Sequence, residues 1–302
     1  MGLVSVVIPT HNRASMVGRA ISSALRQNVP IEVVVVDDGS TDDTLAIVSA
    51  FGDERVRYIH CKQGGGARAR NIGAQKSTGD LLAFLDDDDE LHEDWAAIMS
   101  AALDADPEVM VSCCGSVYLE TNGETEESYP VDLGPTYDGM RGRFDTGSYL
   151  LRREEFDAVG GFIDGLPSSA HTELSLRLAD RWALNGGRVS AVDKVLVTVH
   201  QADPTSRTRN HPKRLYDGAM YLVTHHHERL GRCPQMLGDQ LAIAGVSAAR
   251  LDDFKDARKL LWQAFRVSKR RKDAARFAMA VATPIGRWVW RVDSWQRASA
   301  GL

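Results

Sequence analysis

The chain has 302 residues, 43% of them hydrophobic and 25% charged, with a formal net charge of −5. No stretch reaches the ~18 consecutive apolar residues of a spanning helix, so none is expected, and the size suits one α/β domain of roughly 200–250 residues plus an appendage. Charge is unevenly placed: residues 255–302 hold twelve Lys/Arg against three Asp/Glu, so a body of net −14 precedes a tail of net +9, which suggests two parts with different partners.

The chain opens on an apolar run at residues 4–8 with no basic segment before it, which reads as a strand and not a signal peptide. Residues 14–27 carry helical periodicity through Val17, Ile21, Ala24 and Leu25. Residues 31–36 are β-branched and almost wholly apolar, as in a strand buried on both faces. A helix over 42–50, capped by Ser40 or Thr41, a strand over 56–60, a Gly-led helix over 64–76 and a strand over 81–85 follow. Such alternation predicts a parallel sheet with helices on both faces. Beyond it, the pattern predicts a helix over 93–105, strands over 109–113 and 116–121, and a loop region over 122–142. A strand over 147–152, a helix over 173–185 and one or two strands over 188–199 complete the body. From residue 212 onward the pattern is helical only, with helices over 211–231, 236–250 and 252–269. The last two resemble a single tetratricopeptide-type hairpin, too few copies for a repeat array. The predicted division is a body over 1–205, split into halves at 105/106, and a helical region over 206–302.

Four cysteines, Cys61, Cys113, Cys114 and Cys233, match no zinc spacing and no disulfide framework. Reduced, buried thiols and a cytoplasmic location are the expectation.

Open α/β sheets bind ligands at the carboxyl ends of their strands. Here a polar cluster follows three of them: Pro9-Thr10-His11-Asn12-Arg13, Asp37-Asp38-Gly39-Ser40 and Asp86-Asp87-Asp88-Asp89. Four adjacent carboxylates repel one another unless something neutralises them, and a hard divalent cation does so through oxygen ligands. Alternation along a strand end predicts that Asp86 and Asp88 face one ligand. Asp37 or Asp38 suits a hydrogen bond from a nucleobase or a ribose hydroxyl. Gly64-Gly65-Gly66-Ala67-Arg68 opens a helix and invites a phosphate, although it is neither a Walker loop nor a dinucleotide fingerprint.

Taken in order, the segments Val4-Ser5-Val6-Val7-Ile8-Pro9-Thr10-His11-Asn12-Arg13, Val34-Val35-Val36-Asp37-Asp38-Gly39-Ser40-Thr41-Asp42, Ala69-Arg70-Asn71-Ile72-Gly73, Gly79-Asp80, Phe84-Leu85-Asp86-Asp87-Asp88-Asp89 and Gly160-Gly161-Phe162 resemble the family 2 glycosyltransferases of the GT-A fold. Together they span about the first two-thirds of the chain. The resemblance implies an α/β fold of that type, with a mixed, mostly parallel sheet flanked by helices and a C-terminal all-helical extension. It implies nucleotide contacts from Pro9, Thr10, Asn12, Arg13, Asp37, Asp38, Arg70, Asp86 and Asp87, with Asp38 at the base. Asp88 would be the closest metal ligand, Asp86 would lie nearer the ribose and sugar, and His200, after an apolar strand, would complete a Mn²⁺ or Mg²⁺ site. The implied activity is metal-dependent transfer of a sugar from a nucleotide-sugar donor, UDP-sugars favoured, to an acceptor hydroxyl with inversion.

The chain departs from the family at one place. Members carry Glu-Asp before a helix, and that Asp is the base; aligned on Glu173-Leu174 and Leu176-Arg177, this chain has Ala170 and His171 there. His171 is then the candidate base, since an imidazole with a pKa near ~6.5 suits proton transfer at neutral pH. Glu173 is the fallback, and Asp145 and Asp164 are next in line. The alternative is a non-catalytic nucleotide-sugar-binding module. A sugar-phosphate nucleotidyltransferase would need a Gly-rich, basic loop after the first strand, where this chain has Pro-Thr-His-Asn. The expected acceptor is a carbohydrate, a lipid-linked molecule or a small molecule, and no nucleic-acid partner is expected. Arg266, Lys269, Arg270, Arg271, Lys272 and Arg276, followed by Trp288, Trp290 and Trp295, suggest a peripheral contact with the inner membrane leaflet.

Overall fold

The computed structural model describes residues 2–201, 211–282 and 289–290. The first unit of the chain, 2–133, 137–165 and 171–201 among these residues, opens with β1 (Val4–Thr10), α1 (Ala14–Leu25), β2 (Ile31–Asp37), α2 (Thr44–Ser49), β3 (Val56–His60), α3 (Gly66–Lys76) and β4 (Leu81–Phe84). It continues through β5 (Glu90–Leu91), α4 (Trp95–Asp104), β6 (Val109–Leu119), β7 (Thr125–Ser128), β8 (Val131–Asp132), β9 (Arg141–Gly142), β10 (Tyr149–Arg152), α5 (Arg153–Ala158), α6 (Ala170–Asn185) and β11 (Arg188–His200). The main sheet runs β3-β2-β1-β4-β10-β6-β11-β5, with β7 added to β6. β1 to β4 pair in parallel, as do β6 and β11; β10 lies antiparallel between β4 and β6.

Both faces of the central strands are covered, which explains their unbroken apolar runs. Val4, Val6, Ile8, Val33 and Val35 pack with Val17, Ile21 and Ala24 of α1 and with Trp95, Met99 and Leu103 of α4. On the opposite face α3 approaches so closely that a Cβ on Gly73 would lie 2.2 Å from Val7 Cγ1; only glycine fits there. At the amino ends of the strands, Glu32 is buried opposite Ser5 in the β1–β2 register. Its Oε1 accepts hydrogen bonds from Ser5 Oγ (2.7 Å), Thr78 N (2.5 Å), Thr78 Oγ1 (3.0 Å) and Gly79 N (3.0 Å). These bonds hold the carboxyl below its usual pKa against the opposing effect of burial.

The structure differs from the sequence-based expectations in several places. Residues 109–113 and 116–121, read as two strands, fall in one strand that ends at Leu119; Ser128 O and Lys194 O pass close to Gly115, where the register with β11 shifts. The 122–142 loop region holds β7, β8 and β9, whose pattern is too short and polar to register as strands. α5 was not anticipated. The 42–50 helix starts later, at Thr44, and lacks a side-chain cap from Ser40 or Thr41; instead Asp42 accepts from Thr44 N (3.1 Å) and Thr44 Oγ1 (2.5 Å). β11 is one strand with register shifts.

The second unit holds 134–136, 166–170, 211–282 and 289–290 of the described residues, so two short segments of the predicted body group with the helices. It contains α7 (Pro212–His225), α8 (His227–Gly231), α9 (Pro234–Arg250), α10 (Phe254–Ser268) and α11 (Arg271–Val281); the single helix expected over 211–231 is thus two. α9 and α10 form a hairpin in which Gly238 and Gly245 face Ser268 and Leu261. Asp253 caps α10 by accepting from Asp256 N at 3.0 Å. Among the described residues, no helix is long and apolar enough to cross a membrane.

Candidate functional site

The carboxyl ends of β1, β2 and β4 share one rim, because these strands are parallel neighbours. At the end of β1, Asn12 takes a positive φ of 53°, which asparagine tolerates better than most residues. Its backbone N–H donates to Ser40 Oγ (2.8 Å), and its side-chain oxygen accepts from Thr41 N (2.7 Å). Asn12 therefore fastens the β1 rim to the β2 rim. Pro9 pairs in register with Val36, and Thr10 with Asp37; Thr10 is buried, with its hydroxyl beside Asp87.

The two aspartates after β2 are both engaged within the protein. Asp37 accepts from Ser40 N (2.7 Å) and from the Tyr58 hydroxyl, with His60 Nδ1 at 3.4 Å. These partners outweigh burial and hold its carboxyl below the usual range. Asp38 accepts from Gly64 N and Gly65 N, each at 2.7 Å. The glycine-rich entry to α3 thus turns two N–H groups toward a carboxylate of its own sheet. The segment invites a phosphate in the sequence, and a local anion already takes these two amides.

The β4 rim concentrates the charge. Arg70 Nη2 donates to Asp86 Oδ1 at 2.5 Å, with the guanidinium 5.9 Å from the Phe162 ring centre. Arg13 Nη1 bridges Asp87 Oδ1 (3.0 Å) and Asp88 Oδ2 (2.6 Å). Arg19 Nη2 donates to the Asp88 carbonyl at 2.5 Å. The protein therefore supplies organic cations to its own acidic run, where the sequence pattern alone points to a metal. They do not suffice. Burial, with the charges of Asp86 and Asp88 beside it, pushes Asp89 up to about 9. Burial likewise raises Asp87 to about 6 in spite of Arg13, whereas Arg70 keeps Asp86 below the ordinary value against its own burial.

Ligand atoms of Asp86, Asp88 and Asp89 lie within 4.8 Å of one another. The strand stops at Phe84, and Asp89 N donates to Asp86 O at 3.1 Å. The run is thus a turn, which brings first and fourth residues together. Strand alternation offered only Asp86 and Asp88; Asp89 was missed because the strand was read one residue too long. Three carboxylates that close, one of them pushed toward its neutral form by burial and by the others, make an all-oxygen set suited to a hard divalent cation. His200 stands beside this group and outside it: its N–H donates to Asp89 Oδ1 (3.1 Å) and its Nε2 lies 2.8 Å from Glu90 Oε1.

His171 sits in a nest of rings, with Phe162, Tyr149 and Phe84 centred 5.0, 5.7 and 6.4 Å away. Its Nδ1 is 2.7 Å from the Tyr149 hydroxyl and its Nε2 3.1 Å from Thr146 Oγ1. Burial, reinforced by the Arg70 charge and opposed by Asp86, takes the imidazole down to about 3. The pKa near 6.5 expected from sequence does not hold, because the aromatic surroundings favour the neutral ring. Glu173 is 1% exposed. Both its oxygens accept from Arg177, at 2.8 and 2.6 Å, and Arg177 also donates to Val159 O (2.5 Å) and Gly161 O (2.6 Å). Asn71, not singled out by sequence, exchanges hydrogen bonds with Phe162 and donates to Asp164 Oδ1 at 2.8 Å. Arg19 and Arg143 were missed as well; each lies outside the motif segments.

The glycosyl transferase family 2 model matches residues 5–163. A validoxylamine A glucosyltransferase from Streptomyces hygroscopicus subsp. jinggangensis is 34% identical over 201 residues, covering 61% of this chain and 46% of that protein. The chain spans less than half the length of the curated relatives it matches. Among solved structures, S. aureus TarS 1-349 in complex with UDP-GlcNAc aligns with a TM-score of 0.62 at 19% identity, covering 98% of this chain and 92% of that one. The mannosyltransferase PcManGT from Pyrobaculum calidifontis in complex with GDP-Man and Mn²⁺ aligns at 0.53 and 20% identity, covering 94% and 86%. These likenesses establish the GT-A fold: a mixed, mostly parallel sheet flanked by helices, with helices C-terminal to it. With the matched model covering more than half of its length, the chain belongs to glycosyl transferase family 2.

Proposed function

We propose that the chain transfers a sugar from a nucleotide-sugar donor, preferably a UDP-sugar, to an acceptor hydroxyl with inversion. The observation that carries this reading is the carboxylate triad Asp86, Asp88 and Asp89 at the β4 rim of a family 2 chain. In this reading Asp88, Asp86 and Asp89 hold Mn²⁺ or Mg²⁺, with His200 supporting Asp89 and Glu90. A divalent ion there would supply charge neutralisation for the departing diphosphate. Arg13 and Arg70 offer further positive charge on the same rim. Pro9, Thr10, Asn12, Asp37 and Asp38 shape the nucleotide side, and Asp87, beside Thr10 and Arg13, supports it. The acceptor is a carbohydrate, a lipid-linked molecule or a small molecule, and the location is cytoplasmic.

The test is a panel of UDP-, GDP- and dTDP-sugars with Mn²⁺ present, following thermal stabilisation and nucleotide release. Stabilisation by one nucleotide class together with release above the enzyme-free rate is the expected result. Stabilisation without release from any sugar would favour the alternative, a non-catalytic binding module. That second reading draws on one observation: the two groups nearest the missing base position, His171 and Glu173, both have internal hydrogen-bond partners.

A peripheral contact of the basic region with an anionic membrane surface is part of the same proposal. Arg270 pairs with Asp239 (2.6 Å) and Asp273 (2.9 Å), Lys272 with Asp239 (3.4 Å) and Arg276 with Asp273 (3.0 Å). Arg266, Lys269 and Arg271 remain exposed, and Trp262 is 43% exposed. Trp290 packs on the cluster of Ala248, Ala249, Phe254 and Ala257, while Trp288 and Trp295 lie outside the described residues. Cosedimentation with phosphatidylserine vesicles at low salt, lost as salt rises, is expected. No cosedimentation at low salt would leave these cations as a solvated helical face.

A further inference from the structure

Inverting transfer requires a group that accepts the proton of the attacking hydroxyl, and the residue aligned with the family's base is His171. On the transferase reading above, geometry narrows the candidates for that group. Asp86, Asp88 and Asp89 form the cation triad, and Asp87 is buried against Arg13. Glu173 gives both oxygens to Arg177. Asp164 accepts from Asn71 in the bonds that fasten the 162–164 segment to α3. Both ring nitrogens of His171 have hydroxyl partners, and rings surround it.

Asp145, exposed like Asp164, differs in being fastened to β4: its side chain is 60% exposed, and its position is fixed. Arg143 Nη2 holds Oδ2 at 2.6 Å. Asp145 N donates to Ser148 Oγ (3.0 Å), and Ser148 N donates back to Asp145 O (3.0 Å). The turn they make is fastened to β4 by Gly147 N, which donates to Phe84 O at 2.7 Å. Phe84 is the last residue of β4 and stands two residues before Asp86. The neighbouring Thr146 hydroxyl meets His171 Nε2. Arg143 also donates to the Tyr118 hydroxyl, and the charges of both Asp145 and Asp89 act on that phenol. An ordered, accessible carboxylate thus stands on a turn bound to the strand that leads into the triad.

We infer that Asp145 is the catalytic base, and that His171 is a positioning residue that holds the 145–147 turn through Thr146. Asp145 takes the acceptor hydroxyl proton as that oxygen bonds to the anomeric carbon. The bond from that carbon to the diphosphate oxygen breaks at the same time, and the nucleoside diphosphate leaves with the electron pair.

The experiment measures nucleotide release with water as acceptor, using the full chain, Mn²⁺ and the sugar nucleotide that wild type turns over fastest. Asp145→Asn should lower release by ~10²–10⁴-fold, the range for loss of a general base, with UDP affinity by calorimetry and melting temperature unchanged. Sodium azide, a nucleophile with no proton to remove, should restore release by Asp145→Ala and yield a glycosyl azide of inverted configuration. His171→Gln should show a smaller loss, with no azide rescue, and restoration of the rate toward wild type in His171→Asn if a polar contact to Thr146 is regained. Asp145→Asn with near-wild-type release, or intact UDP binding without azide rescue of Asp145→Ala, overturns the assignment. Azide rescue of His171→Ala instead would return the role to His171. A wild-type chain that binds UDP but releases nucleotide from no donor sugar overturns the transferase reading itself, and the base with it.

Discussion

Replacing Asp88 by alanine is expected to lower turnover of the preferred sugar nucleotide by about 10³-fold or more, since a bound cation contributes several kcal/mol of charge stabilisation and each ~1.4 kcal/mol is tenfold. Asp88 is 29% exposed on its side chain and shares the ligand cluster with Asp86 and Asp89. The same substitution should erase the difference between UDP binding in Mn²⁺ and in EDTA, which wild type should show by calorimetry. Asp89→Asn separates charge from hydrogen bonding. Asp89 is pushed toward its neutral form by burial and its acidic neighbours, so the amide should cost little stability without metal while weakening metal-dependent binding. Equal UDP affinity of wild type with Mn²⁺ and with EDTA would remove the metal from the proposed function. It would leave Arg13, Arg19 and Arg70 as the site's cations.

The second large effect is on stability. Glu173→Ala removes one partner of a buried ion pair, and such truncations typically cost ~3–5 kcal/mol because the other charge stays desolvated. Arg177 retains 20% side-chain exposure, which favours the lower end of that range. It also holds the carbonyls of Val159 and Gly161, so the loosened guanidinium would release the turn before Phe162, whose ring packs on His171. For a unit of this size, ~3 kcal/mol corresponds to a fall in Tm of roughly 6–12 °C. Glu173→Gln should show a milder version, since the amide oxygen still accepts from Arg177. Full retention of Tm with loss of turnover in Glu173→Gln would instead make Glu173 a catalytic group.

Much of the β1–β4 half was legible because its strands are buried on both faces and its helices present one apolar stripe. Continuous Val and Ile runs and the Val17-Ile21-Ala24 spacing leave few alternatives. The rim was legible for the same reason: charge directly after a buried strand is costly and therefore conspicuous. What escaped was geometry set by turns. Asp89 joins Asp86 through a hydrogen bond that no strand periodicity encodes. The environment of His171 depends on Phe84, Tyr149 and Phe162, which are distant in sequence and converge only when β4, β10 and the 160–164 turn are assembled. The glycine-rich entry invites a phosphate in the sequence, because nothing local signals that Asp38 already takes two of its amides. The short strands between residues 122 and 142 lack the length over which alternation becomes visible.

The buried Glu32 has a further role in the assembly of the sheet. The inner residues of β1, β2 and β4, at 6–8, 33–36 and 81–84, are valine, isoleucine, leucine, alanine and phenylalanine, and a slip of two residues along them would keep each side chain on its original face. Apolar burial alone therefore discriminates poorly between the native alignment and its neighbours. One buried carboxylate changes that. Only when Glu32 stands opposite Ser5, with Thr78 and Gly79 entering β4, do its four donors converge. In a slipped alignment the same charge would be stranded in hydrocarbon, at a cost of several kcal/mol. A single ionised residue at the far end of the sheet thus acts as an index mark for the register of three strands. It thereby fixes which residues of β1, β2 and β4 arrive together at the opposite rim.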